Sequence, residues 1–224
     1  MITDGKEAMQ YRIDQLETKE GNYDKLDISI GHVDAEDWDD MVNAGSYAFV
    51  AALEKITGGA ITGTVFPNGQ LGDERSMAEA VQNGSLDACF IADSVATNFS
   101  ATAALNNLPF IYPDASAARA VTSGDIGQRI LDTFSDVGIK ALTYGENGFR
   151  WLLNNRNEVK TAADVKGLKL RVIQSPVYVS TYEALSASPV PMAYGEVYTA
   201  LSQGVVDGFD LMSPLVVSSK FYVC

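Results

Sequence analysis

Histidine occurs once in these 224 residues, at His32, and cysteine twice, at Cys89 and Cys224. So few ligating groups leave little material for a zinc site or for histidine acid–base catalysis. They do not make a disulfide framework either. Cys89 lies in the apolar run DACFIAD and reads as a small buried side chain, with no bridge to Cys224 expected. Positive charge is also scarce: 16 Lys and Arg stand against 29 Asp and Glu, a formal net charge of -13. That balance argues against nucleic acid and anionic lipid as partners. It leaves small anions open, because one desolvated pocket can be positive on a negative protein. No stretch approaches the roughly 20 apolar residues of a membrane-spanning helix, so direct membrane insertion is not expected. The opening MITDGKEAMQYRIDQLETKEGNYDK lacks the basic and apolar regions of a signal peptide. Glycine-rich phosphate loops are missing too, and no residues form a recognisable nucleophile–base pair. The expectation is therefore no catalytic residue, no cofactor and no metal.

Twelve of the 29 acidic residues fall within the first 40 positions. Residues 1–25 read as an acidic tail or helix, with Ala8, Met9, Ile13 and Leu16 as a weak helical stripe. From Leu26 the pattern becomes regular. Leu26, Ile28 and Ile30 alternate as a strand, and Trp38, Met41, Val42, Phe49, Leu53 and Ile56 keep helical spacing up to Gly58-Gly59. A strand over 60–66, a helix capped by Asp73 and ended by Gly84, and a strand at LDACFIA follow. The neighbouring carboxylates Glu36/Asp37 and Asp39/Asp40 read as solvated helix faces.

Strand–helix–strand order of this kind signals parallel α/β units. It resumes with a helix near 126–137, strands near 139–144 and 148–154, a short capped helix at TAADVKG and the strand GLKLRV. Helices near 177–187 and 195–203 flank ASPVPMA, and VVDGFDLM is the last strand. The chain is expected to cross between two lobes near 145–148, giving a first α/β lobe over 26–146 and a second over 147–224.

Arg171 is the informative cation. Parallel α/β sheets bind ligands at the carboxyl ends of their strands, and Arg171 is near such an end. Ser175 can cap the following helix, whose first N–H groups also attract anions. A guanidinium matches a carboxylate through two parallel hydrogen bonds. A lone arginine on a strand is otherwise a structural ion pair, and these neighbours are what favour a small-anion pocket.

The segment ENGFRWLLNNRNEVKTAADVKGLKLRVIQSPVYVSTYEALSASPVPMAYGEVYTALSQGVVDGFD resembles the solute-binding proteins of tripartite ATP-independent periplasmic (TRAP) transporters, the C4-dicarboxylate-binding-protein-like family. FPNGQLGDERSMAEAVQNGSLDACF carries a second set of the same family's motifs. The resemblance implies a two-lobed, periplasmic-binding-protein-like α/β fold with mixed, mostly parallel sheets and a ligand cleft between the lobes. It implies a periplasmic, monomeric, non-enzymatic receptor for a small organic acid that works with membrane permease subunits. Arg171 inherits the carboxylate clamp in this reading, and Arg150 a second basic position. Tyr194 stands where the family places an aromatic against the ligand. Glu74 and Asp93 fall at or beside positions able to bond hydroxyl or amino groups, and Glu196 reads as supporting structure.

Three departures from the family pattern stand out. VDGFDLM has Asp210 and Leu211 where many members continue with Gln-Glu-Asn and bond the ligand through the Asn. The family's export signal is not seen, and the sequence stops at KFYVC where members continue, so a truncated receptor is expected. A ligand-sensing regulatory module for a small carboxylate is the competing reading, and a small-molecule enzyme on a similar fold a third.

Overall fold

A computed structural model describes residues 5–223 of the chain; Cys224 lies outside them. The chain divides into two compact units, one ending at Ile91 and the other beginning at Ala92. Both are α/β.

The first unit runs α1 (Gly5–Asp14), β1 (Leu26–Gly31), α2 (Met41–Ile56), β2 (Ile61–Phe66), α3 (Glu74–Gln82) and β3 (Ala88–Cys89). Its sheet has the order β2-β1-β3 and is parallel throughout. The opening stretch is thus helical over 5–14, and Ile13 of its apolar stripe is buried. Ile30 and Met77, both fully buried, are the centre of this unit. Gly31 has to be small there, since a Cβ would meet the Met77 sulfur. The expected strand LDACFIA is ordered as a strand only at Ala88–Cys89, because β1 ends opposite it at Gly31. Asp40 corrects the reading of its region. It is 1% exposed and caps α2, accepting from the N–H groups of Val42 at 3.0 Å and Asn43 at 3.1 Å. Four unsatisfied N–H groups open every helix, and a buried carboxylate is a strong acceptor for them.

The second unit begins with α4 (Asp93–Ala96), a 3₁₀ turn (Ala101–Asn107), α5 (Ala115–Thr122) and α6 (Asp125–Asp132), which tightens into a 3₁₀ turn over Thr133–Val137. Then come β4 (Arg150–Asn154), β5 (Lys169–Val172), α7 (Pro176–Ala184), β6 (Ser188–Pro191), α8 (Val197–Ser202), β7 (Gly208–Met212) and α9 (Ser213–Ser218). The sheet order is β4-β7-β5-β6, with β5 parallel to both neighbours and β4 antiparallel to β7.

The segment 139–144 is not a strand; Leu142 is 59% exposed, and an extended segment without a ladder partner gains nothing from its alternation. ASPVPMA, the stretch flanked by the two expected helices, supplies β6. Its two prolines are tolerated because Ser188 and Met192 donate to β5 while the alternate positions, Pro189 and Pro191, need no donor on the outer edge. The short helix at TAADVKG is a 3₁₀ turn, closed by a capping box between Thr161 and Asp164. Met192, Val197, Val206, Phe209, Leu211, Leu215 and Phe221 form the larger hydrophobic cluster of the unit.

Candidate functional site

Arg171 is 1% exposed, on the strand that holds the centre of the four-stranded sheet. Its register partners are Val190 on β6 and Phe209 on β7, and its Nη2 donates to the Met192 carbonyl at 2.9 Å. A guanidinium this deeply placed loses its hydration and must be stabilised by carbonyls, hydroxyls or an anion.

Arg150 opens β4, opposite Met212 on β7. Its guanidinium holds Asp210 through two parallel bonds, Nε to Oδ2 at 2.9 Å and Nη2 to Oδ1 at 3.1 Å. Nη2 also donates to the Asp210 carbonyl at 2.7 Å, Nη1 lies 3.5 Å from the Met212 sulfur, and the guanidinium carbon sits 5.0 Å from the Tyr178 ring centre. Burial alone would lower the Arg150 pKa, but the Asp210 charge and the Tyr178 ring outweigh it and the guanidinium is held charged.

Tyr178 and Tyr182, one turn apart on α7, complete this group. Burial pushes the Tyr178 hydroxyl up to about 12; the Asp210 charge adds to that shift and Arg150 opposes it. Burial likewise raises Tyr182, and the Asp210 charge adds to that shift while Arg150 opposes it. Both remain hydrogen-bond donors at any physiological pH. Asp93, first residue of α4, senses the Arg150 charge; burial raises its pKa, against a Ser94 N–H bond, the Arg150 charge and an Asn107 bond that lower it.

The other expected residues have the following surroundings. Ser175 occupies the capping position of α7, but its hydroxyl lies 3.2 Å from that of Thr97 and makes no cap bond. Pro176 supplies the first helical residue. Tyr194 packs edge-on against Phe221, with ring centres 5.9 Å apart, and its hydroxyl is 2.6 Å from that of Ser219. Leu211, 2% exposed, belongs to the hydrophobic cluster on the face of β7 opposite Asp210. Glu196 accepts from the Ala193 N–H at 3.0 Å. The aromatic ring against Arg150 is that of Tyr178, with Tyr182 one turn further along α7. Their spacing in VYVSTYEA carries no signal apart from the helix that follows Arg171.

Glu74 opens α3 in the first unit, where the sequence reading missed its neighbours. His32 and Asp34, just past the carboxyl end of β1, are 0% and 7% exposed. Burial, reinforced by the Asp40 and Glu74 charges, pushes Asp34 up to about 8, so it is a neutral acid at pH 7. Burial also lowers the His32 pKa, against the attraction of Asp40. The strand-end rule that singled out Arg171 applies equally to GHVD.

A surface groove of about 580 Å³ runs along the other face of α7, lined by Leu108, Phe110, Val177 and Thr181 among others. Its lining carries no charge, which makes it a poor anion site. Among the described residues no group of three or more His, Cys, Asp or Glu is placed to hold a metal ion, and no helix is long and apolar enough to cross a membrane.

Residues 31–224 match the family model described as bacterial extracellular solute-binding protein, family 7 (DctP). The chain is 40% identical over 173 residues to a solute-binding protein of Verminephrobacter eiseniae, covering 77% of this chain and 52% of that protein. A TRAP periplasmic solute-binding protein from Polaromonas sp. JS666, solved bound to D-erythronate, matches with a TM-score of 0.85 and 34% identity over 88% of this chain and 64% of that one. One from Sulfurospirillum deleyianum, solved with succinate, matches with a TM-score of 0.81 and 30% identity over 88% of this chain and 63% of that one. The chain thus spans about half the length of the curated relative and under two thirds of the solved chains. A parallel-dominated α/β fold with its arginines on the two strands that flank β7, and a family match running from the end of β1 through residue 224, agree: the chain belongs to the DctP family of TRAP solute-binding proteins.

Proposed function

We propose that this chain is the binding portion of a periplasmic receptor that takes a small organic acid through Arg171 and delivers it to the permease subunits of a TRAP-type transporter, without turning the acid over. The observation that carries the reading is the placement of Arg171. A guanidinium buried to 1% exposure at the carboxyl end of a central parallel strand stands where such sheets bind ligands, and its planar fork matches a carboxylate through two parallel bonds. Arg150, Asp210, Asp93 and Ser175 are proposed to line the same site, Arg150 through Asp210. The division into lobes over 26–146 and 147–224 belongs to the same reading.

A thermal-shift screen of organic acids tests it. Binding of at least one acid, lost in Arg171→Ala while the apo fold persists by circular dichroism, is the expected result. Acid binding of equal affinity in that variant would remove the clamp. Steady consumption of the acid would make the protein an enzyme.

A further inference from the structure

The turn that follows the strand of Arg171 is tied to a segment far away in sequence. Gln174 and Ser175 belong to that turn, after β5 ends at Val172 and before α7 begins at Pro176. The Asn98 side-chain amide donates to the Gln174 carbonyl at 3.0 Å and to the Val95 carbonyl at 2.8 Å, which uses both of its hydrogens. The Thr97 hydroxyl donates its single hydrogen to the Ser94 carbonyl at 2.7 Å. It is therefore the acceptor for the Ser175 hydroxyl, 3.2 Å away. Thr97 and Asn98 directly follow α4, so each bonds its own short helix and the turn at once. Ser175 is 1% exposed and Asn98 is exposed, so the hydroxyl pair is shielded on one side and the amide bond lies where water can replace it.

Resting on the receptor reading above, with the division into lobes given there, we infer that Thr97 and Asn98 are a latch that sets how long the acid is held. In that division Thr97 and Asn98 belong to the first lobe and Gln174 and Ser175 to the second, so both bonds run from one lobe to the other. Arg171 and the turn share one short stretch of chain. The bonds therefore form only while the end of the Arg171 strand stands against α4. Closing on the acid and closing the latch are then one movement. Neutral hydrogen bonds contribute little net free energy each, because water replaces them when they open. That suits a latch, which has to hold the closed form and still allow release. Bonds made after the acid has entered act on its departure, so their loss speeds release and leaves entry as it was. Bonds serving the fold alone would lower stability and leave both rates unchanged.

The test is surface plasmon resonance on the immobilised full chain, with D-erythronate and succinate as the probes. Thr97→Val keeps the side-chain shape and removes the acceptor hydroxyl; Asn98→Ala removes the amide. Each is expected to raise the dissociation rate by about five- to tenfold, with the association rate within about twofold of the unmodified chain. Thr97→Ser, which keeps the hydroxyl, is expected to retain slow release. Unchanged dissociation in a folded Thr97→Val or Asn98→Ala protein overturns the inference, as does an equal loss in the valine and serine variants. If Thr97→Val does not fold, Asn98→Ala, at an exposed side chain, decides alone. Binding that Arg171→Ala abolishes, with release indifferent to Thr97 and Asn98, would sink only the latch. Binding of neither acid, or binding indifferent to Arg171→Ala, would sink the receptor reading with it.

Discussion

Arg150 and Asp210 stand 60 positions apart in sequence, yet their side chains meet through two parallel bonds of 2.9 and 3.1 Å. Antiparallel pairing of β4 with β7 brings them together, Arg150 opposite Met212 and Leu152 opposite Asp210. The pair joins an edge strand of the sheet to its neighbour by charge as well as by backbone ladder. Breaking such a pair by removing one partner costs about 3–5 kcal/mol, because the other charge stays behind. Arg150 keeps 20% side-chain exposure, so the lower end applies. Arg150→Met and Asp210→Leu should each lower unfolding free energy by about 3 kcal/mol, and the double variant by clearly less than the sum. Urea unfolding of the four proteins checks this; additivity would show that the two residues do not act as a pair.

Arg171→Lys tests shape apart from charge. An ammonium cannot reproduce the planar two-pronged match to a carboxylate. Acid affinity should fall by about tenfold or more in calorimetry, roughly 1.4 kcal/mol. Arg171→Ala should abolish the acid-induced rise in Tm altogether. A lysine variant with undiminished affinity would show that only the positive charge matters.

Asp34 gives a pH prediction. Its carboxyl is pushed from the ordinary aspartate range up to about 8 in the folded chain, by burial first and then by Asp40 and Glu74. Between about pH 4 and 8 the unfolded chain has lost this proton while the folded one keeps it. Stability from this group is therefore fully present below pH 4 and declines as pH rises toward 8, by at most about 1.4 kcal/mol per pH unit. His32, lowered by burial, acts in the opposite sense, removing stability as pH falls through its unfolded value near 6.5. Asp34→Asn should thus be more stable than the unmodified chain at pH 8, with the difference shrinking toward pH 4. Parallel Tm profiles for the two proteins would refute the raised pKa.

Gly208 begins β7, and a Cβ there would overlap the Leu153 carbonyl on β4. Gly208→Ala has to push these strands apart, at a cost of about 1–3 kcal/mol. Because Asp210 follows two residues later, acid affinity should fall together with Tm. Full stability in the alanine variant would mean the strands have room that the register denies.

Much of the fold was legible along the chain. The alternation in Leu26–Ile30 and Leu168–Val172, the Asp73 cap, the Gly84 stop and the family motifs are local or ordered patterns, and the structure follows them. Misreadings came where pairing or burial decides. ASPVPMA carries no strand signal of its own, and it becomes a strand because β5 pairs with it along one side. The segment 139–144 has strand composition without a ladder partner.

Arginine at the end of a buried strand, and the order of α/β units, were determined by sequence alone, since both are patterns of neighbouring residues. Which charges meet was not. The pairing of Arg150 with Asp210, the placing of the Tyr178 ring against Arg150, and the burial of Asp34 with His32 depend on strand register and helix facing. Coulomb and desolvation energies depend on distances in space, and only the folded sheet sets those distances.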